Sequence, residues 1–235
     1  MRDENGVGRS VLADQVKDRL LQDILAGVYP PDSRIVETRV ARDLGTSQAP
    51  VREALRGLEA LGVVEIAPFR GARVRRPTAD ELLEAYEVRA ELESLGARLA
   101  VPRLTDTEMD ELEALGAEMQ AAARLGDRHA VAIADAAFHG RLVSISGNGT
   151  LQEVWRSLEP FSRTYITLIV PGADAAWTAS LHAPILDALR TRDPERVVDA
   201  LCFHFREASR RLEESWKDEA AAPPGTGRRA HRTGP

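Results

Sequence analysis

Apolar residues return at helical spacing along most of the chain. Near the N-terminus they form one stripe, which begins after Ser10 and stops at Gly27. Its members are Leu12, Val16, Leu20, Leu21, Ile24 and Leu25. Because residues three and four apart share a helix face, the stripe predicts an amphipathic first helix. A short second helix is predicted at 40–44 and ended by Gly45, and Ser47 is predicted to cap a third.

The third helix and the segment behind it have the pattern of a DNA-reading module. One helix face is apolar and carries Val51, Leu55 and Leu58. Gln48, Arg52 and Arg56 are spaced by four and project together from another face. Residues 63–75 then predict a short strand, a Pro/Gly turn and a basic strand. Two short helices joined by a tight turn and followed by a β-hairpin form a winged helix-turn-helix.

The polar face of the third helix has two interpretations. In a major groove Gln can pair bidentately with adenine and Arg with guanine. Arg52 can equally bind a phosphate, which positions a protein without reading its sequence. Arg39, Arg70 and Arg73 are predicted to contact phosphates or the minor groove. The alternative is a solvated helix face, as most charged rows are, but the adjoining turn and hairpin favour DNA binding.

Beyond residues 75–77 the strand patterns end and helices follow in series. Two capping boxes, Thr78-x-x-Glu81 and Thr105-x-x-Glu108, predict helices near 79–101 and 106–125. Further helices are predicted at about 127–147, 150–170, from 180, and from 193 to 216. Six helices with short links predict an antiparallel bundle.

The expected fold class is therefore mainly α, in three parts. A winged helix-turn-helix domain occupies 1–77, a helical bundle 78–218, and a Pro- and Gly-rich disordered tail 219–235. No apolar run approaches ~18 residues, so no membrane span is expected. The single cysteine, Cys202, excludes an intrachain disulfide and fits a reducing cytoplasm.

The net charge of −6 is unevenly distributed. Residues 1–77 hold 13 Lys and Arg against 11 Asp and Glu, a net of +2. Residues 78–219 hold 15 against 26, a net of −11, and residues 220–235 add +3. The acid is thus separated from the predicted DNA-reading domain, which suits a DNA-binding module joined to a domain with another task.

The predicted bundle also holds a carboxylate and several imidazoles. Asp135 and His139 lie four apart on one predicted helix, and His182 and His204 lie on two later ones. Such a set can bind a divalent transition metal and leave a coordination position open. The alternative is a group of hydrogen-bonded core histidines, because a D-x-x-x-H pair alone is a weak signal.

The predicted recognition helix resembles a known family. The run Ser47-x-x-Pro50-Val51-Arg52-Glu53-Ala54-Leu55, with Leu58 and Gly62-Val63-Val64, resembles the GntR family of bacterial transcription regulators over residues 11–76. The resemblance implies that Arg52 is a principal DNA contact, that Ser47 and Gln48 contact DNA at the helix start, and that Gly71 approaches the minor groove. Gln48 stands where Arg is commoner in the family, which leaves the base preference at that operator position open.

Residues 79–217 resemble the FCD ligand-binding domain of the FadR subfamily. The matching motifs are Glu87-Val-Arg89-x-x-Leu92-Glu93, Asp135-x-x-Phe138-His139, Ser146-Gly-Asn148, His182 and His204. The resemblance implies that Asp135, His139, His182 and His204 hold a metal, zinc or nickel, in the bundle centre. A small carboxylate effector would complete its coordination. Six helices, rather than seven, place the chain in the shorter, VanR-like branch.

An effector carboxylate also needs partners in the protein. A buried arginine beside an open metal position can bind a carboxylate by charge and by bidentate geometry. Arg89 and Arg163 are the predicted partners, with Asn148 as a third. The alternative for both arginines is a surface salt bridge.

The leading hypothesis is a ligand-responsive transcription regulator, a cytoplasmic homodimer that reads an inverted-repeat operator. Repression relieved by an organic acid is the family's commoner behaviour. Two alternatives remain open. A metal-dependent hydrolase is one, because an open metal can activate water, although no separate general base or nucleophile motif accompanies the histidines. A constitutive DNA binder whose bundle only dimerises is the other.

Overall fold

The computed structural model describes the backbone of residues 4–67, 71–168 and 174–221, with side chains for 11–67, 71–158 and 174–216. Its first part is a winged helix-turn-helix. The elements are α1 Glu4–Leu25, β1 Arg34–Ile35, α2 Glu37–Asp43, α3 Gln48–Ala60, β2 Val64–Ala67 and β3 Gly71–Val74. The predicted order of helices and hairpin is confirmed, and α1 begins earlier than the stripe after Ser10 indicated.

The winged domain closes around one apolar core. Val51 and Leu58 from α3 are fully buried at 0 % exposure, and Leu20 and Ile24 from α1 pack in the same cluster. The antiparallel strands lie in the order β1-β3-β2, with Val64 opposite Val74. The core fixes the third helix by its apolar face, so its polar face points outward.

The second part is all helical. Its elements are α4 Ala79–Ala100, a 3-10 turn Val101–Arg103, α5 Asp106–Arg124, α6 Arg128–Ile145, α7 Gly149–Leu168, α8 Ala175–Ser180, α9 Ala183–Arg190 and α10 Pro194–Ala221. Both predicted capping boxes are present at the starts of α4 and α5. The core holds Phe138, Leu142 and Ile185, each at 0 % exposure. None of the helices within the described residues is both long and apolar enough to cross a bilayer.

The helix predicted from near 180 is present as α9, with Pro184 in its first turn, but a separate short helix, α8, precedes it and was not predicted. The described chain has α8 and α9 there, separated at Leu181 and His182. Pro184 cannot donate a backbone hydrogen bond, and it lies in the first turn of α9, where that donor is not needed. Asp174 opens α8 by accepting from the Ala176 N–H at 2.9 Å. The described residues 79–221 therefore hold seven α-helices instead of six, and the assignment to the shorter branch loses the support of that count.

The last helix is longer than expected. α10 continues through Ala221, beyond the predicted end near 216 and the predicted start of the tail at 219. Residues 222–235, which hold the rest of the predicted tail, lie outside the described residues.

Candidate metal centre and nucleic-acid interface

The polar face of α3 is exposed, and its central arginine is held in place. Arg52 Nε donates to Glu37 Oε2 at 2.6 Å, and its Nη2 donates to Gln48 Oε1 at 3.2 Å. The Arg52 side chain is still 58 % exposed. Because a guanidinium has five N–H groups, the remaining donors stay available. Arg56 lies exposed one turn further along the same helix.

The start of α3 is extended backbone. Ser47 occupies the N-cap position with φ −83° and ψ 167°, but its hydroxyl makes no capping hydrogen bond. The predicted position of the cap is confirmed and the predicted side-chain bond is not formed. Its hydroxyl is therefore not committed to the helix. Arg39 on α2 is 71 % exposed, 3.6 Å from Asp43 in a weak ion pair.

The wing adds a basic surface next to the helix-turn-helix. Gly71 begins β3 with φ +77°, a left-handed conformation that favours glycine. Arg34 and Arg73 lie opposite each other on β1 and β3, and both are exposed. The prediction of Arg70 falls outside the described residues. Arg34 was missed because nothing in the sequence indicates that β1 pairs with β3.

In the bundle the four predicted metal ligands come together. Each of Asp135, His139, His182 and His204 offers a ligand atom, and these atoms all lie within 4.8 Å of one another. Asp135 and His139 come from α6, His182 precedes α9, and His204 comes from α10. The three histidines are 0 %, 1 % and 5 % exposed in chain order.

Hydrogen bonds decide which imidazole nitrogens face the centre of this cluster. His139 Nδ1 lies 2.5 Å from Glu93 Oε2, and His182 Nδ1 lies 3.2 Å from the Thr178 carbonyl oxygen. Both oxygens accept, so each Nδ1 carries the proton and donates it. A neutral imidazole with its proton on Nδ1 presents a lone pair at Nε2.

These lone pairs meet at short distances. The Nε2 atoms of His139 and His182 are 3.2 Å apart, and His182 Nε2 is 3.1 Å from Asp135 Oδ1. A single proton placed between two of these atoms would relieve the repulsion between lone pairs at that contact only. A cation at the centre would accept all of these lone pairs at once. His204 Nδ1 is buried with no hydrogen-bond partner among the described residues. The donor set therefore fits a divalent transition metal.

The charge states also suit metal binding. Burial alone would raise the pKa of Asp135, but the neighbouring His182, His139 and Arg89 side chains outweigh burial and hold that pKa well below its usual range. Burial, together with the neighbouring imidazoles, lowers the pKa of His204 well below its ordinary value. Near neutral pH the cluster thus offers an anionic carboxylate and a neutral imidazole, which are the forms that bind metals.

Glu93 accepts a hydrogen bond from His139 on the side of the imidazole that faces away from the cluster. It is fully buried and accepts from Arg89 Nη2 at 2.9 Å and from Trp155 Nε1 at 2.7 Å, besides its contact with His139. Burial raises its pKa, but His139, Arg89 and these hydrogen bonds outweigh burial and bring the pKa to about 2. A carboxylate on the far nitrogen orients a ligating histidine. The sequence places Glu93 in a motif, but only the fold brings it to His139.

A cavity of about 50 Å³ adjoins the cluster. Its described wall consists of Tyr86, Arg89, Asp135, Trp177, Thr178, Leu181, His204, Phe205, Ala208, Arg211 and Leu212. Of the predicted effector ligands, Arg89 lines it at 3 % exposure. Sequence reasoning missed Tyr86 and Arg211, since each reaches the cavity only through packing of α4 against α10.

The other two predicted effector ligands, Asn148 and Arg163, are not in the described wall of the cavity. The side-chain oxygen of Asn148 accepts from the Leu151 N–H at 3.1 Å. That bond caps the start of α7, and the assignment of Asn148 as an effector contact stays a prediction. The side chain of Arg163 lies outside the described residues.

Comparison with known proteins decides the family. The family model for the FCD domain matches residues 84–207. The family model described as bacterial regulatory proteins, gntR family, matches residues 12–74. The chain belongs to the GntR family. A relative from Paenarthrobacter nicotinovorans is named "Probable D-xylose utilization operon transcriptional repressor". The two sequences are 35 % identical over an alignment that covers 83 % of this GntR protein and 86 % of the relative.

Further relatives agree with the family. The gluconate operon transcriptional repressor of Bacillus subtilis is 22 % identical over 82 % of either chain. The solved structure of McbR/YncC from Escherichia coli is similar with a TM-score of 0.78 at 24 % identity, covering 87 % of this chain and 98 % of the other. That likeness shows the fold. The chain is a DNA-binding transcription regulator and not an enzyme, which removes the hydrolase alternative.

Proposed function

We propose that this GntR regulator is a repressor whose operator affinity is set by a small carboxylate bound at a metal site in the bundle. The observation that carries the proposal is the convergence of imidazole lone pairs and one carboxylate beside a cavity. Relatives named as repressors of sugar and sugar-acid operons support repression as the mode of action.

Asp135, His139, His182 and His204 would hold the metal, zinc or nickel. When bound, such an ion supplies a Lewis-acidic centre with a position open to a carboxylate oxygen. Glu93 and the Thr178 carbonyl hold two imidazoles in the required tautomer. The buried Arg89 lies at the cavity wall with its guanidinium 5.2 Å from the Phe205 ring centre, and places positive charge beside the effector. Arg163 remains a proposed effector contact.

The DNA-binding face would be the outward face of the winged domain. Arg52, already held by Glu37 and Gln48, would read a guanine or grip a phosphate. A homodimer would present two such faces to an inverted repeat, because two-fold protein symmetry imposes two-fold operator symmetry. The remaining proposed contacts are Arg39, Ser47, Gln48, Arg56, Arg70 and Gly71. Its place of action would be the cytoplasm, where a bacterial operator lies.

One helix links the two sites. Glu81 in the first turn of α4 pairs with Arg75, which directly follows β3, and the same helix carries Arg89 and Glu93. A shift of α4 on effector binding would therefore move the winged domain. Coupling of 1–3 kcal/mol, the usual range, would change operator affinity about 5–150-fold.

Arg52→Ala tests the DNA-binding face. Loss of one base or phosphate contact should weaken binding to an operator fragment, selected with the wild-type protein, about 5–150-fold. Fluorescence anisotropy measures the affinity, and the melting temperature should stay unchanged. Arg124→Ala, an exposed arginine on α5, is the matched control. Equal operator affinity of the Arg52 variant and wild type would remove the assigned role.

The effector site is tested by removing the metal. Chelation, or His204→Ala, should abolish bound metal in elemental analysis and abolish the response of operator affinity to organic acids. If metal removal and a panel of acids leave both the melting temperature and operator affinity unchanged, the protein is a constitutive DNA binder whose bundle serves dimerisation.

A further inference from the structure

The cavity beside the metal cluster is a slot that changes character along its length. His204, Ala208 and Leu212 follow one another on the same face of α10, and all three line the cavity. At 1.5 Å per residue, His204 and Leu212 lie about 12 Å apart along the helix. The His204 end is therefore polar and carries the metal ligands, and the other end combines Ala208 and Leu212 with the side chain of Arg211.

Aromatic and aliphatic groups form most of the wall beyond the metal ligands. Tyr86, Phe205 and Leu212 belong to one buried apolar cluster, and the rings of Tyr86 and Phe205 lie 6.0 Å apart at 57°. Trp177 closes another side, with the Arg211 guanidinium 5.8 Å from its ring centre. Ala208, the smallest of these side chains, leaves the space between them open. The slot thus has the shape and chemistry of a site for a ring or a branched alkyl group.

Two polar side chains of the described wall are already hydrogen-bonded within the protein. The Arg89 guanidinium already donates to Glu93 through Nε and Nη2, and the Thr178 hydroxyl donates to the Asp174 carbonyl at 3.2 Å. A polyhydroxylated chain packed against Phe205, Ala208 and Leu212 would place hydroxyl groups on apolar side chains, which is unfavourable.

We infer that the effector is a carboxylic acid with an apolar body, an aryl or branched alkyl acid, and not a sugar acid. The inference rests on the proposed function, since it places the carboxylate at the metal end and the apolar body against Tyr86, Phe205 and Ala208. It separates this chain from its relative named for the gluconate operon.

The test uses the full-length, Zn²⁺- or Ni²⁺-loaded protein and three monoanions: acetate, benzoate and gluconate. Titration calorimetry should show benzoate binding at least 10-fold more tightly than gluconate, and benzoate should release operator DNA at lower concentration. Ala208→Leu fills the slot and should weaken benzoate binding at least 10-fold, while acetate binding and metal content stay unchanged. Ala117→Leu, at an exposed position of α5, is the matched control.

The outcomes separate the two proposals. If acetate or gluconate binds and releases the operator but benzoate does not, the apolar-acid inference is overturned and the proposed function stands. Unchanged benzoate binding in Ala208→Leu also overturns the inference. If none of the three acids binds the metal-loaded protein, the carboxylate site and this inference are both rejected. The ranking of the three acids on the wild-type protein tests the inference even if the Ala208→Leu protein fails to fold.

Discussion

Glu93→Gln tests the hydrogen bonds that Glu93 accepts beside the metal cluster, because it keeps the side-chain shape and removes the charge. The carboxylate accepts from Arg89, Trp155 and His139 at once. An amide has one oxygen and one NH₂ group. If the oxygen faces Arg89 and Trp155, the NH₂ faces the Nδ1–H of His139, and two donors oppose each other.

His139 can escape that clash by moving its proton to Nε2. The lone pair that points at the centre of the cluster is then lost, and a metal-affinity loss of about 10–100-fold is expected, as for other partners of ligating histidines. The opposite amide orientation sets the NH₂ against the donors of Arg89 and Trp155. In either case the Arg89 guanidinium, with 4 % of its side chain exposed, loses its counter-charge. Breaking a buried pair costs about 3–5 kcal/mol.

Two measurements separate these effects. Denaturant unfolding in excess chelator gives the stability of the metal-free protein, and competition with a chromophoric chelator gives metal affinity. Glu91→Gln, exposed on the same helix, is the control and should change neither. A Glu93→Gln protein with wild-type stability and wild-type metal affinity would refute the assigned hydrogen-bond arrangement.

Three further substitutions probe other parts of the chain. Thr105→Ala removes the cap of α5 and should cost about 0.5–2 kcal/mol in denaturant unfolding, whereas the exposed Thr107→Ala should cost less; equal losses would argue against the cap. Phe138→Ala empties a fully buried position beside the histidines and should cost about 3–5 kcal/mol, so a loss below 1 kcal/mol by the same assay would contradict the packing. Glu37→Ala removes the acceptor of Arg52 Nε and should weaken operator binding by anisotropy, but by less than Arg52→Ala; unchanged affinity would show that the contact does not position the arginine.

Local signals accounted for much of the fold. The capping boxes at Thr78 and Thr105 act within four residues, so the starts of α4 and α5 could be predicted from the chain alone. The same holds for the outward row of Gln48, Arg52 and Arg56, because residues four apart share a helix face. The break between α8 and α9 was missed, since Pro184 marks a helix start but does not reveal a separate capped turn before it.

The sequence alone determined which residues could form a metal site, and the tertiary structure decided how they would work. Asp135 and His139 share a helix face by spacing, but His182 and His204 reach them only because α6, α9 and α10 share one apolar core. The tautomers depend on Glu93 and the Thr178 carbonyl, which come from other elements. Long-range packing sets these contacts, and helical periodicity carries no information about the distance between two helices.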